Sequence, residues 1–174
     1  MKRRFFAACV LLVCLMANAA IAESFLPVRK TFLVRIDGDA MQPTLADGET
    51  ARVSSEDYDE NEPARGDVII YRRLGREGYA LSRIIAIPGD TIEIRDGHVL
   101  INGEPIEEAY VSPENNRYTR DLESVTMDDG EYYLLGDNRD DSYDSRILGP
   151  VLREQIVAHV KKVILPLTRM RPIE

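Results

Sequence analysis

The chain has 174 residues, 44% of them apolar and 30% charged, and a formal net charge of −8 at pH 7. That length suits one domain, or one domain with a small insertion, and the composition excludes a disordered chain or a protein of many membrane spans. The acidic surplus argues against a nucleic-acid partner held on a basic face.

The first residues differ from everything after them. Lys2, Arg3 and Arg4 precede an uncharged run from Phe5 to Ala22, which closes on Ala20-Ile21-Ala22 before Glu23. A basic start, an apolar stretch and a small–x–small ending make an export signal, with a cut expected after Ala22. A retained anchor is the other reading of residues 1–22, although the run is short for a spanning helix and Asn18 and the alanines lower its hydrophobicity. Either way, residues 23–174 form the exported part, periplasmic or on the outer side of the cytoplasmic membrane. It is soluble if the segment is cut and single-pass anchored if it is not. Removing the three basic residues with the segment takes the net charge from −8 to −11, which favours solubility and repels anionic headgroups.

Cys9 and Cys14 are the only cysteines, and both lie in the apolar run, so the exported part has no disulfide and no thiolate metal site. Neither follows the leucine–small–small pattern of a lipidation site. His98 and His159 are the only histidines, which excludes a multi-histidine metal centre. No cofactor and no metal are expected.

From Thr31 the chain breaks into short runs rich in Val, Ile, Thr and Tyr. Strands are predicted over Thr31–Ile36, Thr50–Ser54, Asp67–Arg73 and Tyr79–Ile87, each bounded by turn residues. In residues 91–108 apolar positions alternate around Asp96-Gly97 and Asn102-Gly103, the dipeptides of tight hairpins. Residues 112–129 are polar and without a clear period, which predicts a long loop or an excursion. Glu131–Leu135 and Ala158–Leu165 are further strands, and Leu152–Val157 is the one segment that reads as helical. The fold class is all-β, with strands coiled into barrel-like sheets.

Three stretches carry more than this. They are RIDGDAMQPTLADGE (35–49), RGDVIIYRR (65–73) leading into LSRIIAIPGDTIEIRDGHVLINGEPI (81–106), and YYLLGDNRDDSYDSRILGPV (132–151). In order, spacing and content they resemble the type I signal peptidases, membrane-bound serine endopeptidases that remove export signals. The resemblance runs from about Lys30 to Lys162, and GDNRDDSYDSRILGPV is its most specific piece. The self-cleaving repressors share an element like the first stretch but lack the last one and an export segment.

The resemblance implies a Ser–Lys pair, with the serine just before the methionine of the first stretch and the lysine just before the arginine of the second. A serine hydroxyl needs a base to take its proton, and a lysine is that base only where desolvation lowers its pKa. Here the two positions hold Ala40 and Ser82. Alanine has no lone pair for attack, and serine is no base near neutral pH. The lysines, Lys2, Lys30, Lys161 and Lys162, are not placed beside them by the sequence.

The resemblance also assigns Ser142 to the serine that positions the lysine amine, and Asp137, Asp144 and Arg146 to buttressing ion pairs, with Arg83 as a partner for one carboxylate. Their plain reading is turn formation and buried charge pairing. Ser82 and Ser142 are expected to face each other across the vacated site. Gly38 and Pro43 shape the turn around Ala40. Met41 is either an apolar residue near the membrane side or a core methionine.

Three functions stay open. The first is a non-catalytic member that binds an extended peptide, an exported preprotein, or a secretion or surface-assembly partner. The second is an active signal peptidase with a displaced nucleophile, Thr44, Ser82 or Ser142, and an unidentified base. The third is a structural exported β domain.

Overall fold

The computed structural model of the protein describes residues 31–75, 78–117 and 120–173. The expected export segment and Lys30 lie outside the described residues, among which no helix is long and apolar enough to cross a membrane.

Most of the strands fall where turn residues and β-branched runs place them. They are β1 (Thr31–Arg35), β2 (Thr50–Ser54), β3 (Val68–Arg72), β4 (Tyr79–Ala86), β5 (Thr91–Arg95), β6 (His98–Ile101) and β7 (Glu104–Pro105). After these come β8 (Leu122–Thr126), β9 (Glu131–Leu135), β10 (Val151–Leu152), β11 (Ile156–Leu165) and β12 (Arg171–Pro172). Among the described residues two one-turn helices, α1 (Asp57–Glu60) and α2 (Ser145–Leu148), complete the regular elements apart from short 3-10 turns.

The strands form two antiparallel sheets. The larger has eight strands along the path β1-β2-β11-β3-β4-β9-β10, with β12 beside β11. The smaller has the order β7-β6-β5-β8 and is built from the chain between β4 and β9. Its hairpins turn at Asp96-Gly97 and Asn102-Gly103, where φ is positive at all four residues (51°, 75°, 53° and 85°). Such turns follow the right-handed twist of the flanking strands, so these dipeptides fix their register.

In β3 the buried residues run Val68-Ile69-Ile70-Tyr71 without alternation, because both faces of that strand are covered. Val68 and Ile70 pack with Ile36, Met41, Leu45, Val53 and Val160, whereas Ile69 and Tyr71 pack with Ile84, Tyr132, Leu134 and Ile156. A third cluster joins the sheets: Ile92, Ile94, Val99 and Ile101 of the small sheet meet Ile85, Tyr133 and Leu135 of the large one. Each such side chain, fully buried, stabilises the fold by ~1.5–3 kcal/mol.

Residues 112–129 contain β8, which pairs with β5 in the smaller sheet, so of the two readings the segment fits an excursion from the main sheet rather than one long loop. One expectation needs correction: Leu152–Val157 is not helical. Leu152 ends β10, Arg153–Gln155 make a 3-10 turn, and Ile156 opens β11. The Gln155 side chain closes that turn, accepting from the Leu152 N–H at 2.9 Å and donating to the Arg72 carbonyl at 2.9 Å. The apolar spacing of Leu152, Ile156 and Val157 imitates a helical stripe across a strand–turn–strand junction.

Leu134 sits at 0% exposure in the middle of the large sheet. Replacing it by alanine is expected to lower unfolding free energy by ~2–5 kcal/mol in urea titrations, through lost burial and an unfilled cavity.

Candidate functional site

The site begins where β1 runs out into a tight loop. The Ile36 N–H donates to the Glu49 carbonyl at 2.8 Å and the Gly48 N–H to the Ile36 carbonyl at 3.0 Å, which closes the base of the loop. Gly38, at φ 89°, makes the turn and donates its N–H to the Asp47 carboxylate at 3.0 Å. Met41 and Leu45, at 2% and 0% exposure, plunge into the core and pin the loop from below. Met41 is therefore a core methionine in the described structure. The Gln42–Pro43 bond between them is cis.

Ala40 lies between these anchors, and its carbonyl accepts from the Asn138 N–H at 3.1 Å. The Asn138 side chain donates to the Asp39 carbonyl at 3.2 Å, and Asn115 donates to the Gln42 carbonyl at 3.2 Å. The loop is thus stitched to the turn after β9 and to the 3-10 turn between β7 and β8 of the small sheet.

Ser82 is buried in β4, opposite Ile69 of β3. Its neighbour Arg83 pairs with Leu135 of β9, which brings Gly136 level with Ser82 just past the end of that pairing. Gly136 is the tightest point of the site. A β-carbon there would come within 2.6 Å of the Ala40 carbonyl oxygen and 2.5 Å of the Ser142 Cβ. Residues 40, 82, 136 and 142 therefore meet in one place.

Buried ion pairs hold that meeting point. Arg83 and Asp137, each with its side chain 1% exposed, form a two-pronged pair at 2.9 and 2.8 Å. Arg83 also donates to the Gly66 carbonyl at 2.8 Å and lies 3.9 Å over the Tyr110 ring. The Thr44 hydroxyl donates to Asp137 Oδ2, the oxygen that also accepts from the Arg83 Nη2. Asp144, wholly buried, takes two bonds from Arg146 at 2.9 and 2.8 Å, one from the Gly136 N–H at 2.9 Å and one from the Ser142 hydroxyl at 2.6 Å. The Ser142 hydroxyl accordingly gives its proton to Asp144.

Arg139, Glu108 and Tyr71 were not singled out from the sequence. The Arg139 guanidinium is buried, pairs with Glu108 and donates to the Gly136 carbonyl at 3.0 Å. Its place inside the last motif was the available signal. Tyr71 had none, because it reads as one more buried strand residue. Its hydroxyl is buried without a hydrogen-bond partner among the described residues. Burial pushes that hydroxyl above its ordinary pKa; Ser82 draws it back, though the two lack the geometry of a hydrogen bond, Asp144 raises it further and Arg73 lowers it. Tyr71 is thus a neutral alcohol at pH 7, with no capacity to act as a base.

A cleft of about 330 Å³ opens beside this point. Val34–Gly38 line one wall and Tyr79–Leu81 another, with Ala40, Met41, Ile70, Arg73, Ser142 and Tyr143 between. Both walls are strand edges. Among the described residues β1 pairs with β2 alone, and Tyr79–Ser82 pair with β3 on one side while β9 begins its pairing only at Arg83. Unpaired backbone on two edges is what an extended peptide needs to add itself as a strand.

The described lysine and imidazole groups lie elsewhere. Lys161 pairs with Asp57 at 2.7 Å, His159 stacks on Tyr58 with ring centres 5.6 Å apart, and His98 is on β6; none of them lines the cleft.

Comparison with known proteins places the chain. The family described as signal peptidase, peptidase S26, matches residues 3–165. Signal peptidase I S of Bacillus subtilis (strain 168) is 34% identical over 145 residues, covering 78% of this chain and 78% of that protein. The probable signal peptidase I-1 of Synechocystis sp. (strain ATCC 27184 / PCC 6803 / Kazusa) is 33% identical over 144 residues, covering 77% and 71%. Signal peptidase I of Leptolyngbya laminosa is 35% identical over 144 residues, covering 78% and 69%. A crystal structure of a signal peptidase I from Enterococcus faecalis V583 is 34% identical, covers 55% of this chain and 94% of its own, and superposes with a TM-score of 0.48. The chain belongs to the signal peptidase family, peptidase S26.

Two substitutions separate crowding from backbone strain. Gly103→Ala meets open space and only a positive φ, so it is expected to cost ~1–2 kcal/mol. Gly136→Ala meets backbone and side chain together and is expected to cost ~3 kcal/mol or more, read from paired denaturant melts. Tyr71→Phe removes a hydroxyl that lacks a partner, and is expected to leave the melting temperature unchanged or raise it, by up to ~1–3 kcal/mol of stability.

Proposed function

We propose that this member of the signal peptidase family binds an extended peptide, such as the processing region of an exported preprotein, on the outer side of the membrane without cutting it. The observation that carries this reading is the pair Ala40 and Ser82, at the positions where the family resemblance calls for the nucleophile and its base. Both lie beside a cleft with two open strand edges. Backbone pairing along those edges gives affinity, and neither edge needs a reactive hydroxyl. Residues 1–22 serve to export the rest, as a signal cut after Ala22 or as an anchor, and a secretion or surface-assembly protein is a fitting source of the peptide.

In this reading Asp137, Asp144, Arg83 and Arg146 are structural. They hold the loop, β4 and the turn after β9 in register, and Asp144 orients Ser142. The displaced-nucleophile alternative lacks a base: Lys161 is engaged by Asp57, and the hydroxyls of Thr44 and Ser142 each donate to a carboxylate already held by an arginine.

The test is cleavage of a preprotein by the purified full chain in lipid or detergent, beside an Ala40→Ser/Ser82→Lys variant and an active signal peptidase. The natural chain is expected to give no cleaved product over hours while the active control completes cleavage. Cleavage by the natural chain at the signal junction contradicts the proposal. Cleavage by the double variant alone supports retention of the groove with loss of the chemistry.

A further inference from the structure

The cleft walls carry charge as well as open backbone. Arg35 and Arg73 both line the cleft, in a chain whose overall charge is −8. Asp37 also lines it, two residues beyond Arg35 and on the same side of the extended chain, so it offsets one of the two guanidinium charges. Arg73 is the charge left over. Its Nε is buried, and among the described residues it has no hydrogen-bond partner. A buried N–H of a guanidinium is seldom left without an acceptor, since such groups are satisfied by protein, water or ligand. The Nε is able only to donate, and the acceptor-only group that suits a guanidinium fork is a carboxylate.

Resting on the peptide-binding reading, we infer that the groove selects an extended peptide that carries an aspartate or glutamate side chain, received by Arg73. The position of that side chain follows from register. Arg72 pairs with Tyr79, the first residue of β4 and three positions from Ser82, and Arg73 lies one position further out. At ~3.3 Å per residue this is about 13 Å from the Ala40–Ser82 point. The acidic residue therefore lies three to five positions from the peptide residue that sits over Ala40.

The experiment is fluorescence anisotropy with dye-labelled, C-terminally amidated ten-residue peptides of alanine and valine, titrated with the full chain in detergent. One glutamate is moved along the peptide, and each peptide has a twin with glutamine in its place. At the matching position the glutamate peptide is expected to bind about tenfold more tightly than its twin, a difference that shrinks in high salt. Arg73→Gln is expected to abolish the difference, and Arg35→Gln to reduce it less. The glutamate–glutamine comparison on the natural chain needs no variant, so a poorly folding Arg73→Gln leaves it standing. Equal binding of the twins at every position overturns the acidic selection while leaving peptide binding intact. Binding by none of the peptides overturns the groove reading itself.

Discussion

One buried ion pair sets the geometry of the site. Arg83 and Asp137 are each 1% exposed at the side chain and share two hydrogen bonds. Removing two charges from water costs several kcal/mol per ion, which mutual attraction recovers only when geometry is good and the remaining donors are satisfied. Both conditions hold: the third guanidinium arm reaches the Gly66 carbonyl, and Thr44 donates to Asp137. The value of the pair lies in placement more than in net stability. Arg83 fixes the level of Ser82, Asp137 fixes the level of Gly136, and Thr44 ties in the loop that carries Ala40. With the absence of a side chain at Gly136, that is enough to bring residues 40, 82 and 142 together.

The second pair, Asp144 with Arg146, works on a smaller scale. It is local in sequence, closes the turn that leads into α2, and turns the Ser142 hydroxyl inward. Together with Arg139 on Glu108, these arginines spread rigid polar supports around a point where, on the proposed reading, no bond is broken. A fold held by such supports keeps its groove whatever stands at positions 40 and 82. On the proposed reading, that is the physical reason binding is separable from cleavage.

Much of this was legible in the chain. β2 and β9 sit on the residues that alternation and turn signals marked, and the two glycine-containing hairpins turn where Asp96-Gly97 and Asn102-Gly103 say they must. β8 was hidden by a bulge: Ile92 faces Val125 while Ile94 faces Leu122, so two residues of one strand span three of the other and the period-2 pattern breaks. The 3-10 turn at Arg153–Gln155 was hidden because its determinant is a glutamine side chain acting as a cap, not a pattern of apolar residues. At the site, the motif residues could be named but their partners could not. Arg83 had two buried carboxylates to choose from and pairs with Asp137; Asp144 is served by Arg146, two positions away. Tyr71 and Arg73 were invisible as site residues, because an unmatched hydroxyl or N–H is a property of three-dimensional surroundings.

The central claim is that a peptide lies between β1 and the open half of β4 and leaves uncut. Hydrogen–deuterium exchange of the full chain with and without a bound preprotein-derived peptide, followed by the mass of the recovered peptide, tests both halves at once. The account predicts slowed exchange in Val34–Gly38 and Tyr79–Leu81, with the peptide mass unchanged. Unaltered exchange in those two segments, or a peptide recovered as two fragments, contradicts it.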